Sequence, residues 1–508
     1  MTPAGVPAPH AVPLGRLLRE ALGERAPLGD LGDATTALVT GVVQRADRAQ
    51  PGALFVARVG AVVDGHDHAA EAIARGAVAV AGTRDAVPDL PVPYVHVDDD
   101  RWATSALAAA FHGFPARSLR VAGVTGTDGK TTTSTLLHHL LQGDAAEPVA
   151  SLLSSALARI GTASAALEGH FTTPEATEVQ AHLAAARDAG ARFAVVESSS
   201  HGASLQRLAH VRYDVMAWTN LSPEHLDHHK TYAAYRAAKA GLVARAAAAV
   251  LHRDDPEYPF FADAAPARQV TFGRGPSADV WADAIEAGPT GLRFVVVAGD
   301  DRHPATLPMV GDFNVLNALA ALATARELGV PLDVSVPRLA TFGGVPGRMQ
   351  LVATEPCSVV VDFAHTPDAL AKALAAVAPA PGGRRLVVVG AAGERDPGKR
   401  APLGAAAVRG ADFAVFTEED HRSEDLEAIL ERMAAGARAV GGVEGRDFVR
   451  VGDRRAAIAR ALAEARPGDL ILLAGKGHER TLERGSEALP WDEAAAALAA
   501  AAEVAARR

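Results

Sequence analysis

The sequence predicts an α/β protein, and three observations carry that expectation. Short apolar, β-branched runs alternate along the chain with alanine-rich segments of helical character. These runs end in polar or glycine residues, the place where ligands bind in open parallel sheets. One of them leads through a glycine-rich loop into a helix, as "RVAGVTGTDGKTTTSTLLHHLL". In chain order the strand runs are "RVAGVTG", "FAVVESSS", "DVMAWTNL", "SVVVDFAH", "RLVVVGAAG", "FAVFTEED" and "DLILLAGKG". Stretches such as "AAAVLHR" and the tail "DEAAAALAAAAEVAARR" read as amphipathic helices, and no repeat of solenoid period is present.

At 508 residues the chain exceeds what one hydrophobic core organises. Breaks near "PYVHVDDDRW" and in the glycine-rich "LATFGGVPGRMQ" divide it into three expected domains, residues 1–98, 99–344 and 345–508. It is 49% hydrophobic and 22% charged, as soluble globular proteins are. A formal net charge of -10 argues against a nucleic-acid partner, yet leaves room for small anionic substrates at a locally basic site. The single cysteine, Cys357, excludes an intramolecular disulfide and a multi-cysteine zinc site, and points to a reducing compartment. The N-terminal "MTPAGVPAPHAVPLGRLL" has no apolar core of signal length, and no run reaches the roughly 18 uncharged residues of a membrane helix. A cytoplasmic protein with no membrane partner is expected, and a monomer is favoured.

The glycine loop is the first chemical signal. Gly123, Gly126 and Gly129 let backbone amides close around phosphate oxygens. Lys130 reaches toward β and γ phosphates, and Thr131 at the helix start is placed to hold magnesium. The spacing departs from the strict G-x-x-x-x-G-K-[ST], because Val124 stands where the first glycine belongs. ATP or GTP binding follows; motor, switch and ligase remain equal on this motif alone.

Glu197, at the end of "FAVVE", is a carboxylate able to complete magnesium coordination beside that loop, though a solvated strand-end acid is the plain alternative. Further on, "TNLSPEHLDHHKTYAAYRAAKAGLV" gathers His225, Asp227, His228 and His229. A zinc site and a metal-free histidine-rich helix start both fit this composition. A third reading turns on Lys239, which follows an aromatic and alanine face and is expected to be partly buried, with a depressed pKa.

The motifs "TGTDGKTTT", "ESSSH", "TNLSPEHLDHH…AYRAAK", "GDFNVLNALAA", "GRM", "DFAHTPDAL" and "GKGHE" occur in the order seen in the Mur ligases, the ATP-dependent amide ligases of bacterial cell-wall precursor synthesis. The N-terminal "PGALFVARVGAVVDGHDHAAEAIARGAVAV" resembles the branch that adds the third peptide residue. The resemblance spans nearly the whole chain. It implies a small α/β N-terminal domain, a central P-loop ATPase-type domain with a mostly parallel sheet, and a Rossmann-like C-terminal domain. It also implies a reaction: a diamino acid (meso-diaminopimelate, L-lysine or L-ornithine) joined to UDP-N-acetylmuramoyl-L-alanyl-D-glutamate through an acyl phosphate, with ATP and Mg2+.

By that resemblance Lys239 is carbamylated and shares one magnesium site with His225, while Thr131 and Glu197 serve the other. Gly126, Thr127, Gly129, Lys130, Thr131 and Thr132 hold the phosphates, Asn314 and Asn317 the adenine, and Arg348 and Asp362 reach ATP from the third domain. Thr172, Thr173, Ser199 and Arg207 bind the nucleotide sugar; Arg395, Asp420, Arg422, Gly475 and Glu479 bind the incoming amino acid. Domain closure around ATP is expected.

The chain departs from the family pattern at four places. Asp128 replaces the usual loop asparagine; Arg45, Ala46 and Asp47 stand where Asp-Ser-Arg helps hold uridine; Gln350 follows "GRM" in place of glutamate. The amino-acid motif Asp-Asn-Pro-Arg of meso-diaminopimelate enzymes reads Glu419, Asp420, His421, Arg422, where the arginine suits a distal carboxylate and the added acid a distal amine. Two alternatives stand beside this reading: a Mur-type ligase acting on another carboxylate, such as a cyanophycin- or folylpolyglutamate-type enzyme, and a nucleotide-gated binding protein. The second leaves Lys239 unexplained.

Overall fold

The computed structural model describes residues 10–27, 31–60, 63–85, 87, 90–155, 157–164, 172–288 and 291–507, with only the backbone of Asp227 and of residues 505–507. Residues 1–9 of the N-terminal stretch, and the Asp227 side chain of the histidine cluster, therefore lie outside the described residues. The chain divides into two compact units, Met1–Phe272 with Ala320–Pro331, and Gly273–Leu319 with Leu332–Arg508.

The first unit contains two main sheets. In the N-terminal one, β1 (Gly41–Val43), β2 (Ala53–Ala57), β3 (Ala79–Gly82) and β4 (Tyr94–His96) lie in sequence order and all parallel. Every residue of β2, "ALFVA", is buried, as a parallel strand covered on both faces requires. The second sheet comprises β5 (Arg120–Thr125), β6 (Ala150–Leu153), β7 (Ala158–Ile160), β8 (Ala163–Ser164), β9 (Phe193–Glu197), β10 (Val215–Trp218), β11 (Ala248–His252) and β12 (Gln269–Gly273). Their order is β8-β7-β6-β9-β5-β10-β11-β12. Only the β7–β8 extension is antiparallel; the strands from β6 to β12 run parallel.

The register of this sheet positions the chemistry. Glu197 lies opposite Val124, and Trp218 opposite Thr125. The ends of β9 and β10 thus come level with the start of the glycine loop. Below them, the buried Trp218 ring stacks on Phe261 with centroids 3.9 Å apart, anchoring β10 in the core.

In the second unit, β13 (Val280–Gly288), β14 (Gly291–Ala298) and β15 (Asp301–Leu307) form an antiparallel meander. The larger sheet comprises β16 (Gln350–Ala353), β17 (Ser358–Asp362), β18 (Arg385–Ala391), β19 (Phe413–Glu418), β20 (Phe448–Arg450) and β21 (Leu470–Ala474), ordered β16-β17-β21-β18-β19-β20. All but β16 are parallel. Because β21 inserts between β17 and β18, strand order reverses there, which opens a crevice at the carboxyl ends of the strands. Asp362 is level with Ala474, and Ala391 with Glu418, so both acids lie at that edge. A hairpin of β22 (Thr481–Arg484) and β23 (Glu487–Pro490) precedes the tail helix Glu493–Arg507.

All of the strands named from the sequence are present, but "AAAVLHR", expected as helix, forms β11 (Ala248–His252), a fully buried strand paired in parallel on both sides, where sheet burial overrides the helical preference of alanine. The meander was not among them, because its strands are polar on one face and lack the continuous apolar run of a buried parallel strand. Among the described residues no helix is long and apolar enough to cross a membrane.

One buried ion pair ties the tail helix to the sheet of the second unit. Arg454 and Glu493 are both fully buried and meet at 2.7 Å, and Arg454 also donates to the Ala474 carbonyl at the end of β21. Removing one partner strands a buried charge and costs about 3–5 kcal/mol, whereas an apolar pair of similar volume restores most of it. In urea unfolding, Glu493→Leu alone is expected to lower the transition of the second unit well below that of the Arg454→Met/Glu493→Leu double variant.

Candidate active site

The glycine loop takes its shape from residues at the end of β10. Gly126 has φ 149°, and a Cβ there would lie 1.9 Å from Thr219 Oγ1, so no larger residue fits. Thr219 Oγ1 donates to the Asp128 carbonyl at 2.7 Å. Asn220 holds the same residue from both sides, accepting from the Asp128 amide at 2.8 Å and donating to its carbonyl at 3.1 Å. The Thr127 hydroxyl pairs with Tyr235 OH at 2.9 Å and accepts from the Ser222 amide at 2.9 Å. Gly129, at φ 79°, caps the helix Lys130–Gln142, whose N-terminal end is the kind of place where backbone amides receive an anion. Thr132 is buried in that turn, and Asp128, the unexpected acid, exposes its side chain.

Around the loop the other expected residues converge. Lys130 Nζ donates to the Thr127 carbonyl at 2.6 Å. Thr131 Oγ1 donates to Glu197 Oε1 at 3.1 Å and lies 3.0 Å from Ser155 Oγ. Glu197, only 1% exposed, also accepts from the Ser155 amide at 3.0 Å. Lys239, also 1% exposed, donates to the Gly126 carbonyl at 2.5 Å and lies over the Tyr235 ring at 4.8 Å. Burial pushes its pKa well below the usual lysine value, and Lys130 adds to that shift, while Glu224, Asp128 and Glu197 oppose it.

His225 stands in the left-handed region at φ 57° before the short helix Leu226–His229, with Nε2 3.4 Å from Glu224 Oε2. His201 stacks on His228 at 4.1 Å and meets His225 and His229 edge-on. Burial and the neighbouring histidines hold His229 down to about 4. Among the described residues no three histidine, cysteine, aspartate or glutamate side chains are arranged to hold a metal.

The four residues expected for the nucleotide sugar are neighbours in the first unit, and three are directly linked. Thr173 Oγ1 pairs with Ser199 Oγ at 2.9 Å and donates to the Glu197 carbonyl at 3.0 Å. Arg207 donates to the Thr173 carbonyl at 2.8 Å and to Glu175 at 2.6 Å. Thr172, partly buried, adjoins Thr173 in sequence. Glu175 also binds Arg58 at 2.7 Å, and both line a cavity of about 750 Å³ with Arg45, Ala46, Asp47 and Phe55. The departure at 45–47 is thus at the wall of this cavity, where Arg45 and Asp47 pair with each other at 2.6 Å.

In the second unit, Asn314 donates to the Val310 carbonyl and accepts from Asn317, each at 2.8 Å. Asp362 accepts from the Met349 and Ala364 amides at 2.8 and 2.9 Å. Burial raises its pKa against the pull of Arg348, whose guanidinium lies 4.6 Å from the Phe363 ring centre. Asp420 and Glu479 both pair with the buried Lys476, at 2.7 and 2.6 Å. Arg422 pairs with Glu483 at 2.7 Å. Glu419 has an oxygen with no partner among the described residues, and that oxygen lies 3.1 Å from where a Cβ on Gly475 would stand. Arg395 is exposed and joins no hydrogen bond or ion pair among the described residues.

Four residues here were not singled out from the sequence: Ser155, Glu175, Lys476 and Glu483. Lys476 sits inside the quoted "GKGHE", just past a buried strand, and that position was the available signal. Ser155 carried the same signal, just past β6, while Glu175 and Glu483 gave none, because each matters through a partner distant in sequence.

Comparison with known proteins fits this geometry. Three family models match: Mur ligase family, catalytic domain, over residues 39–112; Mur ligase middle domain over 124–325; and Mur ligase, glutamate ligase domain, over 347–477. The chain is 48% identical to UDP-N-acetylmuramyl-tripeptide synthetase of Deinococcus radiodurans, across 94% of this chain and 97% of that protein. It is 38% identical to UDP-N-acetylmuramoyl-L-alanyl-D-glutamate–2,6-diaminopimelate ligase of Gloeobacter violaceus, across 90% and 92%. A solved structure of a ligase of that second name aligns with TM-score 0.65 at 28% identity, across 92% and 95%.

Glu419 supplies a pH test. Burial lifts its carboxyl from 4.5 to about 7, with Lys399 and Arg454 pulling the other way. Between those values the folded state keeps a proton that the unfolded state has lost, so stability falls as pH rises from about 4.5 to about 7. Glu419→Gln removes that dependence. Its melting temperature is expected to gain on the native chain's across this window, and equal slopes would refute the assignment.

Proposed function

The chain belongs to the Mur ligase family and is an ATP-dependent, ADP-forming ligase of peptidoglycan precursor synthesis, and on that premise we propose that it adds a diamino acid to UDP-N-acetylmuramoyl-L-alanyl-D-glutamate. The observation that carries this reading is the buried group at the glycine loop: Glu197 bonded to Thr131 and Ser155, with Lys130 and Lys239 on the neighbouring loop carbonyls.

A carboxylate does not condense with an amine in water, because its leaving group would be oxide. Attack of the acceptor's carboxylate oxygen on the γ-phosphorus of ATP breaks the bond to ADP and gives an acyl phosphate. The amine then adds to that acyl carbon, loses a proton, and phosphate departs as the amide forms. Lys130, moved from the Thr127 carbonyl, offsets the repulsion between carboxylate and triphosphate, and the amides of the Lys130–Gln142 helix hold phosphate oxygens.

Thr131 and Glu197 offer hard oxygen donors close to each other, which suits magnesium, and bound magnesium would supply further charge neutralisation. His225 is the expected further ligand. Lys239 as an ammonium would not join it. Its burial favours the neutral amine, the form that adds carbon dioxide to give an oxygen-donor carbamate.

Gly126, Thr127, Gly129 and Thr132 complete the phosphate site, and Asn314, Asn317, Arg348 and Asp362 serve ATP. The acceptor's nucleotide sugar uses Thr172, Thr173, Ser199 and Arg207, and the adjoining cavity gives it room. Arg395, Asp420, Arg422, Gly475 and Glu479 serve the amino acid. The domains are taken as 1–98, 99–344 and 345–508, and a monomer in the cytoplasm goes with the reading.

ADP release is expected to require ATP, the UDP-muramyl dipeptide and a diamino acid together; release indifferent to the last two would count against the reaction. Lys239→Ala is expected to lose at least about a hundredfold in kcat, the scale of one lost electrostatic group in an active site. Formate should restore part of the loss. Unchanged activity in that variant would remove Lys239 from the chemistry.

A further inference from the structure

Glu483 occupies the one arginine of the expected amino-acid motif. Arg422 Nε donates to Glu483 Oε2 at 2.7 Å, and its Nη1 donates to the Gly393 carbonyl at 2.6 Å. The backbone joins in, with the Arg422 amide donating to the Glu483 carbonyl at 3.3 Å. Arg422 itself stands in the left-handed region at φ 52°, so its backbone and its side chain are fixed by the same neighbour. A carboxylate binds guanidinium best through two parallel N–H groups. With Nε given to Glu483 the side-on pair of Nε and Nη2 is taken, and Nη1 already serves a carbonyl. An incoming carboxylate would also lie against the Glu483 carboxylate.

The surrounding charges point the same way. Asp420, Glu479 and Glu483 face two cations, Lys476 and Arg422, each already paired. Glu419 is 7% exposed, and its Oε2 has no partner among the described residues. Any side chain at Gly475 would crowd that oxygen, since a Cβ there would stand 3.1 Å away. Three acids against two cations leave a deficit of positive charge. Arg395, exposed and unpaired among the described residues, is available for the α-carboxylate that every candidate amino acid shares.

We propose that the amino acid accepted here is a basic diamino acid ending in a bare ammonium, the ornithine–lysine class, and that Glu483 sets this choice by occupying the Arg422 guanidinium. The proposal rests on the ligase reading above and narrows its substrate. Glu483 acts as a positioning residue: it withholds a carboxylate receptor and adds negative charge where a second carboxylate would go.

The test uses the full chain with ATP, UDP-N-acetylmuramoyl-L-alanyl-D-glutamate and, in separate arms, L-ornithine, L-lysine and meso-diaminopimelate. In the native chain kcat/KM for the better basic amino acid is expected to exceed that for meso-diaminopimelate by on the order of a hundredfold, the scale of a like-charge contact. Glu483→Gln should narrow that ratio at least about tenfold by raising use of meso-diaminopimelate, mainly through KM. Glu483→Asp, which keeps the charge, should leave the ratio wide, and so separates charge from any fault of folding. Preference of the native chain for meso-diaminopimelate, or the same ratio in Glu483→Gln, would overturn the proposal while leaving the ligase reading intact. No ligation and no ADP release in any arm would overturn both.

Discussion

A carboxylate sealed at the end of a parallel strand sets the geometry of the first unit's candidate site. Glu197 is almost fully buried, and a buried charge is tolerable only where hydrogen bonds replace its lost water. Those bonds come from Thr131 at the head of one helix and from Ser155, just past β6. Three separate segments are therefore registered on one acid. The same end of the sheet buries Lys239, which sits on the Gly126 carbonyl. Acid and amine are thus held apart in separate hydrogen-bonded seats of the same loop region, so neither neutralises the other directly. A direct pair would satisfy both groups and leave little for a triphosphate.

The second unit solves a similar problem with internal ion pairs. Its sheet delivers Asp362, Glu418 and the "AGKGHE" turn to one edge because β21 is inserted between β17 and β18. Arg454 is matched by Glu493, Lys476 by Asp420 and Glu479, and Arg422 by Glu483. Glu419 is the exception, a buried carboxyl with one oxygen unmatched and a proton held near neutrality. Unsatisfied buried groups of this kind are costly, and they cluster where a ligand completes the arrangement.

Much of this was legible in the sequence. Buried parallel strands announce themselves as apolar runs whose polar ends lie at the edge where ligands bind, which is what marks Glu197; Thr131 is marked by the glycine loop, Lys239 by its helix face, and Asp362 and Asp420 by the family resemblance. The glycine loop was legible for the same reason, since few side chains tolerate its backbone. Two things were hidden. The β13–β15 meander alternates polar and apolar residues and lacks the signature used to find strands. Pairings such as Arg422 with Glu483 or Arg207 with Glu175 join residues far apart in the chain, and composition carries no record of which charge meets which. A family motif gives the arginine its expected role, but only the fold shows that the guanidinium is already taken.

The phosphate loop is cast in a mould that it does not itself encode. Its glycine at 126 is required because a threonine hydroxyl fills the space beside it, and the peptide at 128 is clamped by Thr219, 91 residues downstream, and by Asn220. Drift in the loop is consequently tied to drift at the far end of β10. A lineage that relaxed Thr219 or Asn220 would reshape nucleotide recognition without altering a single residue of the glycine motif.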